Sequence, residues 1–133
     1  MCTAVAVGAL LTAHFACIGA GDSFFTTRRL VGKYSLERAD GAYYITVDAQ
    51  EPSRSMEPGG VLHGAIEQLG WNQTHIVAAV TRGGWRIIDV PEQTISGVLS
   101  EEETLQQLKT KPELKAIRMH RAEDAWKMLR MFQ

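Results

Sequence analysis

Thr74-His75-Ile76-Val77-Ala78-Ala79-Val80-Thr81-Arg82-Gly83-Gly84-Trp85-Arg86-Ile87-Ile88-Asp89-Val90 is the stretch that decides the fold class of this chain. Two apolar segments of strand length, rich in β-branched residues, flank Arg82-Gly83-Gly84, whose glycines suit a tight reversal, so the run reads as a hairpin. On its N-terminal side, Val61 to Trp71 approaches it through Asn72-Gln73, residue types that tolerate a turn. On its C-terminal side, Pro91-Glu92-Gln93 turns into Thr94-Ile95-Ser96-Gly97-Val98-Leu99. Sequential strands joined by short turns usually pair with one another, which makes this region an antiparallel meander.

A further hairpin lies upstream. Alternating segments near 33–38 and 42–48 enclose Asp40-Gly41, and Asp-Gly between β-rich runs is a strong short-range turn signal. The eleven residues from Gln50 to Gly60 are dense in Pro, Gly and Ser and predict a long loop. Together these segments predict one antiparallel meander sheet of about five or six strands, curled on itself.

The period changes at Ser100. Ser100-Glu101-Glu102-Glu103 matches a capping box, with acidic residues in the first turn where the helix dipole favours them, and opens a helix to about Lys109. Thr110-Lys111-Pro112-Glu113 repeats the signature and predicts a short helical turn ending near Ile117. From Arg121 to Phe132, Ala125, Met128, Leu129 and Phe132 recur at helical spacing. The fold class is therefore α+β: the meander sheet, followed by two or three C-terminal helices.

The first charged side chain is Asp22, and residues 2–20 are mostly small and apolar. That is the pattern of an export signal, although no Lys or Arg precedes the apolar run as one usually does. The run is short for a membrane span, which needs about 20 apolar residues. Both cysteines of the chain, Cys2 and Cys17, fall in this segment, so the remainder has no disulfide framework and no thiol nucleophile. Leu10 to Cys17 resembles the end of a bacterial lipoprotein signal, in which a small residue precedes a cysteine that becomes lipidated. Ala16 fits that pattern, whereas His14 and Phe15 depart from it. Lipidation at Cys17 and cleavage nearby without lipid remain alternatives. The chain divides on this reading into an export or lipoprotein signal segment (1–21), a tether (22–32) and a single α+β domain (33–133), located at the cell envelope, either periplasmic or lipid-anchored.

With 133 residues and a formal net charge of -1, the chain lacks the clustered basic face that nucleic-acid binding requires. Ala65 to Asn72, His75 to Ala78, Trp85 to Val90 and Ile95 to Glu103 together resemble a family of small uncharacterised bacterial exported or lipoprotein-like β-rich domains. Its members carry an Ile-Ile-Asp strand, a turn, and a Gly-x-Leu-Ser-x-Glu-Glu run into a helix. The resemblance covers roughly residues 60–105 and departs at Val98, where Pro is common, and at the long loop 50–60. It implies a β-rich fold and a bacterial envelope setting, and it brings no catalytic residues.

Candidate sites are few. The histidines show no metal-ligand spacing and the domain offers no cysteine, so neither a metal nor another cofactor is expected. Glu67, His75 and Asp89 are the residues a small hydrolase would use, if a pocket gathered them. The plainer reading of Asp89 is a strand end whose side chain bonds the Pro91 turn. Trp71 and Trp85 stand at strand ends beside turns and offer a binding surface, because tryptophan is enriched in interface hot spots; the plainer reading is that they close the core. With no catalytic motif in the sequence, the expected function is a small envelope binding module, an inhibitor or immunity-type protein that captures another protein. The alternatives are the hydrolase of Glu67, Asp89 and His75, and a structural accessory of the envelope. Membrane contact would run only through a lipid anchor at Cys17.

Overall fold

Asp40 and Gly41 both take positive φ, 52° and 78°. That pair of left-handed residues is what a two-residue hairpin needs to match the twist of its strands. The computed structural model describes residues 26–48 and 60–131, and the strands on either side of this turn pair in full register, from Ala39 against Ala42 to Tyr34 against Val47. In chain order the elements are β1 (Thr27–Val31), β2 (Tyr34–Ala39), β3 (Ala42–Val47), β4 (Ile66–Trp71), β5 (His75–Val80), β6 (Gly84–Asp89), β7 (Thr94–Ile95), α1 (Glu101–Thr110), a 3-10 turn (Pro112–Leu114), β8 (His120–Arg121) and α2 (Ala122–Met131).

The strands form two antiparallel sheets rather than one meander. One is three-stranded in the order β1-β2-β3, and the other is five-stranded in the order β7-β6-β5-β4-β8. Neither closes into a barrel. The expected single curled sheet is thus corrected to two sheets, divided between β3 and β4, and the loop expected over 50–60 lies, up to Gly60, outside the described residues. Alternation of apolar and polar residues records that a strand has a buried face, but not which sheet it joins. A second correction concerns residues 22–32: from Thr27 this stretch is β1, not a tether, and it pairs with β2. Thr27, Arg28 and Arg29 disguise it, because an edge strand tolerates charge.

Register explains the layering. Ile76, Ala78 and Val80 point to one face of β5 and their partners Trp71, Leu69 and Ile66 lie on that face of β4. This face meets Leu30, Tyr34, Leu36 and Ile45 of the smaller sheet and Ala122, Ala125, Trp126 and Leu129 of α2 in the main core. The opposite face carries Val77 and Ile87, which pack with Leu114 and Ile117 in a smaller cluster joined by Trp85, Leu99 and Leu108. Both helices thus cover the five-stranded sheet, one on each side.

Local chemistry fixes the start of α1, whereas α2 is tied down from β1. The Ser100 hydroxyl accepts from the Glu103 amide at 3.0 Å, and the Glu103 carboxylate accepts from the Ser100 amide at 2.8 Å, which completes the capping box. At α2, Arg28 Nη1 donates to the Trp126 carbonyl at 3.0 Å while its guanidinium lies 4.0 Å from the centre of the Trp126 ring. Of the expected strand 94–99, Thr94–Ile95 forms β7 and Leu99 pairs with Trp85 as an isolated bridge, while between them the Ser96 hydroxyl takes the Ile87 amide in place of a backbone acceptor.

Candidate functional site

Two places gather polar side chains. The first is the hairpin end formed by β4, β5 and β6. Asn72 folds back on itself there: its Oδ1 accepts from the amides of Thr74 and His75, each at 2.8 Å, and its Nδ2 donates to the Glu113 carbonyl at 2.8 Å. This locks the turn and ties it to the segment after α1. His75 and Asp89 are cross-strand partners in register, with His75 Nε2 3.6 Å from Asp89 Oδ2. On its other side His75 Nδ1 lies 2.8 Å from the Thr74 hydroxyl. The same hydroxyl lies 3.2 Å from Asn72 Oδ1, and its single proton can go to only one of these two acceptors.

Asp89 also behaves as the plainer reading expects, since its Oδ1 accepts from the Glu92 amide at 3.0 Å and closes the turn after Pro91. Burial and the negative charge of Asp89 together raise the Tyr34 phenol above its ordinary value. Glu67 takes no part. It is exposed at a bulge between Ile66 and Gln68, at the far end of β4 from Trp71, which at about 3.3 Å per residue puts it roughly 13 Å or more along the sheet from this end.

The second place is an open cleft of about 560 Å³. Arg29 and Leu30 of β1, Trp71 at the end of β4, Ala116 and Arg118 of the segment before β8, His120, and Met128 and Leu129 of α2 form its walls. A cleft of about 300–1,000 Å³ is the ordinary size of a ligand pocket. Its construction depends on Gly70, because a Cβ there would stand 2.3 Å from the Arg118 carbonyl oxygen. Only glycine lets the 116–120 segment lie this close to β4 and carry Arg118 and His120 to the cleft. The Trp71 and His120 rings meet at 6.1 Å with a 55° tilt, so the imidazole braces the indole.

The two tryptophans do not form one patch. Trp71 pairs with Ile76 and Trp85 with Ala79, which are on opposite faces of β5. Both tryptophans are partly buried: Trp71 packs against the main core and borders the cleft, and Trp85 packs against the smaller cluster. Cys17, the candidate lipidation site, lies outside the described residues. Among the described residues no three His, Cys, Asp or Glu side chains are grouped to hold a metal, and no helix is long and apolar enough to cross a membrane. Sequence reasoning singled out Trp71 but not Arg118, His120 or Met128. They stand on separate elements, and the only local trace of their convergence is a glycine directly before Trp71.

Compared with protein-family models, with curated proteins and with solved structures, the chain matches none.

Proposed function

We propose that this chain is a small binding module of the bacterial cell envelope, of the inhibitor or immunity type, and that it captures another protein at the cleft beside Trp71. The observation that carries this reading is the composition of the cleft: an aromatic side chain and apolar neighbours, with the exposed guanidinium of Arg118 beside them. Arg118 has no ion pair with any described residue. Arginine and tryptophan are the residue types that most often anchor protein interfaces. The envelope setting is supported by the apolar N-terminal segment and by the resemblance over residues 60–105.

The test is capture from bacterial envelope extract by the immobilised full-length chain. A partner retained by the wild type and by Lys109→Glu, but lost on Arg118→Glu, is the expected result. Capture that survives Arg118→Glu unchanged, or no capture at all, overturns the reading.

The pairing of His75 with Asp89, with Thr74 alongside, favours a second reading. In a hydrolase, Asp89 would orient the imidazole and His75 would take a proton from a hydroxyl or water. Glu67 has no place in that scheme. Turnover of chromogenic esters or of a peptide mixture, abolished by His75→Ala, would establish it.

A further inference from the structure

We propose, resting on the binding reading above, that the cleft accepts an acidic segment of polypeptide, with one carboxylate held by the guanidiniums of Arg118 and Arg29 and a neighbouring large apolar side chain laid on Trp71 and Met128. The lining residues include two arginines and a histidine and no Asp or Glu, although the Asp48 carboxylate stands behind Arg29 and offsets part of its charge. Arg118 is exposed and makes no hydrogen bond or ion pair among the described residues, so it meets a ligand without first giving up a partner. Arg29 is held differently. Its Nη1 donates to the Gly32 carbonyl at 2.6 Å and faces Asp48 at 3.0 Å, which leaves Nη2 and Nε without partners among the described residues. A guanidinium anchored through one nitrogen is already ordered, so less side-chain freedom is lost when the others bind a ligand.

The rest of the lining sets what accompanies the anion. Leu30, Trp71, Ala116, Met128 and Leu129 are apolar, and methionine adapts its shape to the group it meets. A free inorganic anion leaves this surface unused. A long alkyl chain would need an enclosed apolar channel, and this cleft is open and edged by cations. A peptide carboxylate with an aromatic or aliphatic neighbour uses both halves. Nucleic acid is disfavoured by the formal net charge of -1 and by the absence of a basic stripe.

The experiment follows the backbone amide resonances of the full-length, isotopically labelled chain during titration. The probes are a capped heptapeptide with one aspartate between two phenylalanines in a glycine-serine background, and its asparagine analogue. The aspartate peptide is expected to shift the amides of Trp71, Arg118, His120 and Leu129 and to bind about tenfold more tightly or better, as a charge-assisted pair does. In Arg118→Gln, whose side chain is exposed, that preference is expected to disappear while the thermal midpoint stays unchanged.

Equal binding of both peptides at the cleft overturns the acidic preference and leaves the binding reading standing. Absence of any shift at millimolar peptide overturns the acidic-segment proposal, and the extract capture then decides the binding reading by itself. Laurate or inorganic phosphate shifting the same amides at lower concentration than the peptide also overturns it, in favour of an amphiphile or a free anion respectively.

Discussion

Gly70 and Arg118 are packed backbone against backbone, so closely that a methyl group on Gly70 would meet the Arg118 carbonyl oxygen at 2.3 Å and the Ile117 side chain at 2.8 Å. Neither neighbour can yield cheaply, since the first is backbone and the second is part of the smaller core cluster. Gly70→Ala is expected to destabilise the fold by about 1–3 kcal/mol, the usual cost of overpacking. A urea midpoint shift without a change in slope is the measurement. The same substitution should displace the amides of Arg118 and His120, because the cleft wall moves with them.

Tyr34 makes stability sensitive to alkaline pH. Its folded-state pKa is raised, first by burial and then by the charge of Asp89, so the folded chain holds the phenol proton more tightly than the unfolded chain does. The stabilisation is complete below the ordinary phenol value of about 10 and is lost as pH rises above it through the higher folded value. Tyr34→Phe is expected to flatten this part of the pH-stability curve, and tyrosinate absorbance of the folded wild type should lag behind that of the unfolded chain. An identical alkaline decline in Tyr34→Phe would show that Tyr34 is not its source.

The reciprocal bonds of Ser100 and Glu103 can be removed from either side. Ser100→Ala strips the N-terminal amide of Glu103 of its acceptor and is expected to cost about 1 kcal/mol. Glu103→Gln keeps a side-chain acceptor for the Ser100 amide and should cost less. Chemical denaturation of the two variants side by side gives the ordering.

Among the described residues, the larger apolar cluster begins at Leu30 and the smaller at Val77. If residues 1–21 are an export signal, a chain shortened to 22–133 should retain its stability to within about 0.5 kcal/mol, as changes remote from a core do. A loss of about 1.5–3 kcal/mol for each large apolar side chain removed would instead place that segment in the core and withdraw the envelope reading.

Where local chemistry is self-sufficient, the chain states its own structure. Asp40-Gly41 carries its turn, Ser100 to Glu103 carries its cap, and the β4-β5-β6 meander follows from its short turns. What stayed hidden depends on partners remote in sequence. β8 is only His120 and Arg121, and it is a strand solely because Gln68 and Leu69 of β4 lie beside it. β1 carries two adjacent arginines, and its strand character comes from pairing with β2 and from Arg28 reaching α2. The cleft was half legible for the same reason: Trp71 announces itself by type, whereas Arg118, Met128 and Arg29 become neighbours only after the two sheets and α2 have packed.

The bond from Arg28 to the Trp126 carbonyl joins residues 98 positions apart. It sets an order of events during synthesis. At about 5–20 residues per second, the three-stranded sheet is complete several seconds before α2 has been made, and through that interval Leu36 and Ile45 lack the helix that helps to cover them. That sheet therefore gains its native packing only once Ala122–Met131 has been made. Until then the apolar side of the β1-β2-β3 sheet lies open to competing contacts, so the part of the fold made early depends on the helix that comes last among the described elements.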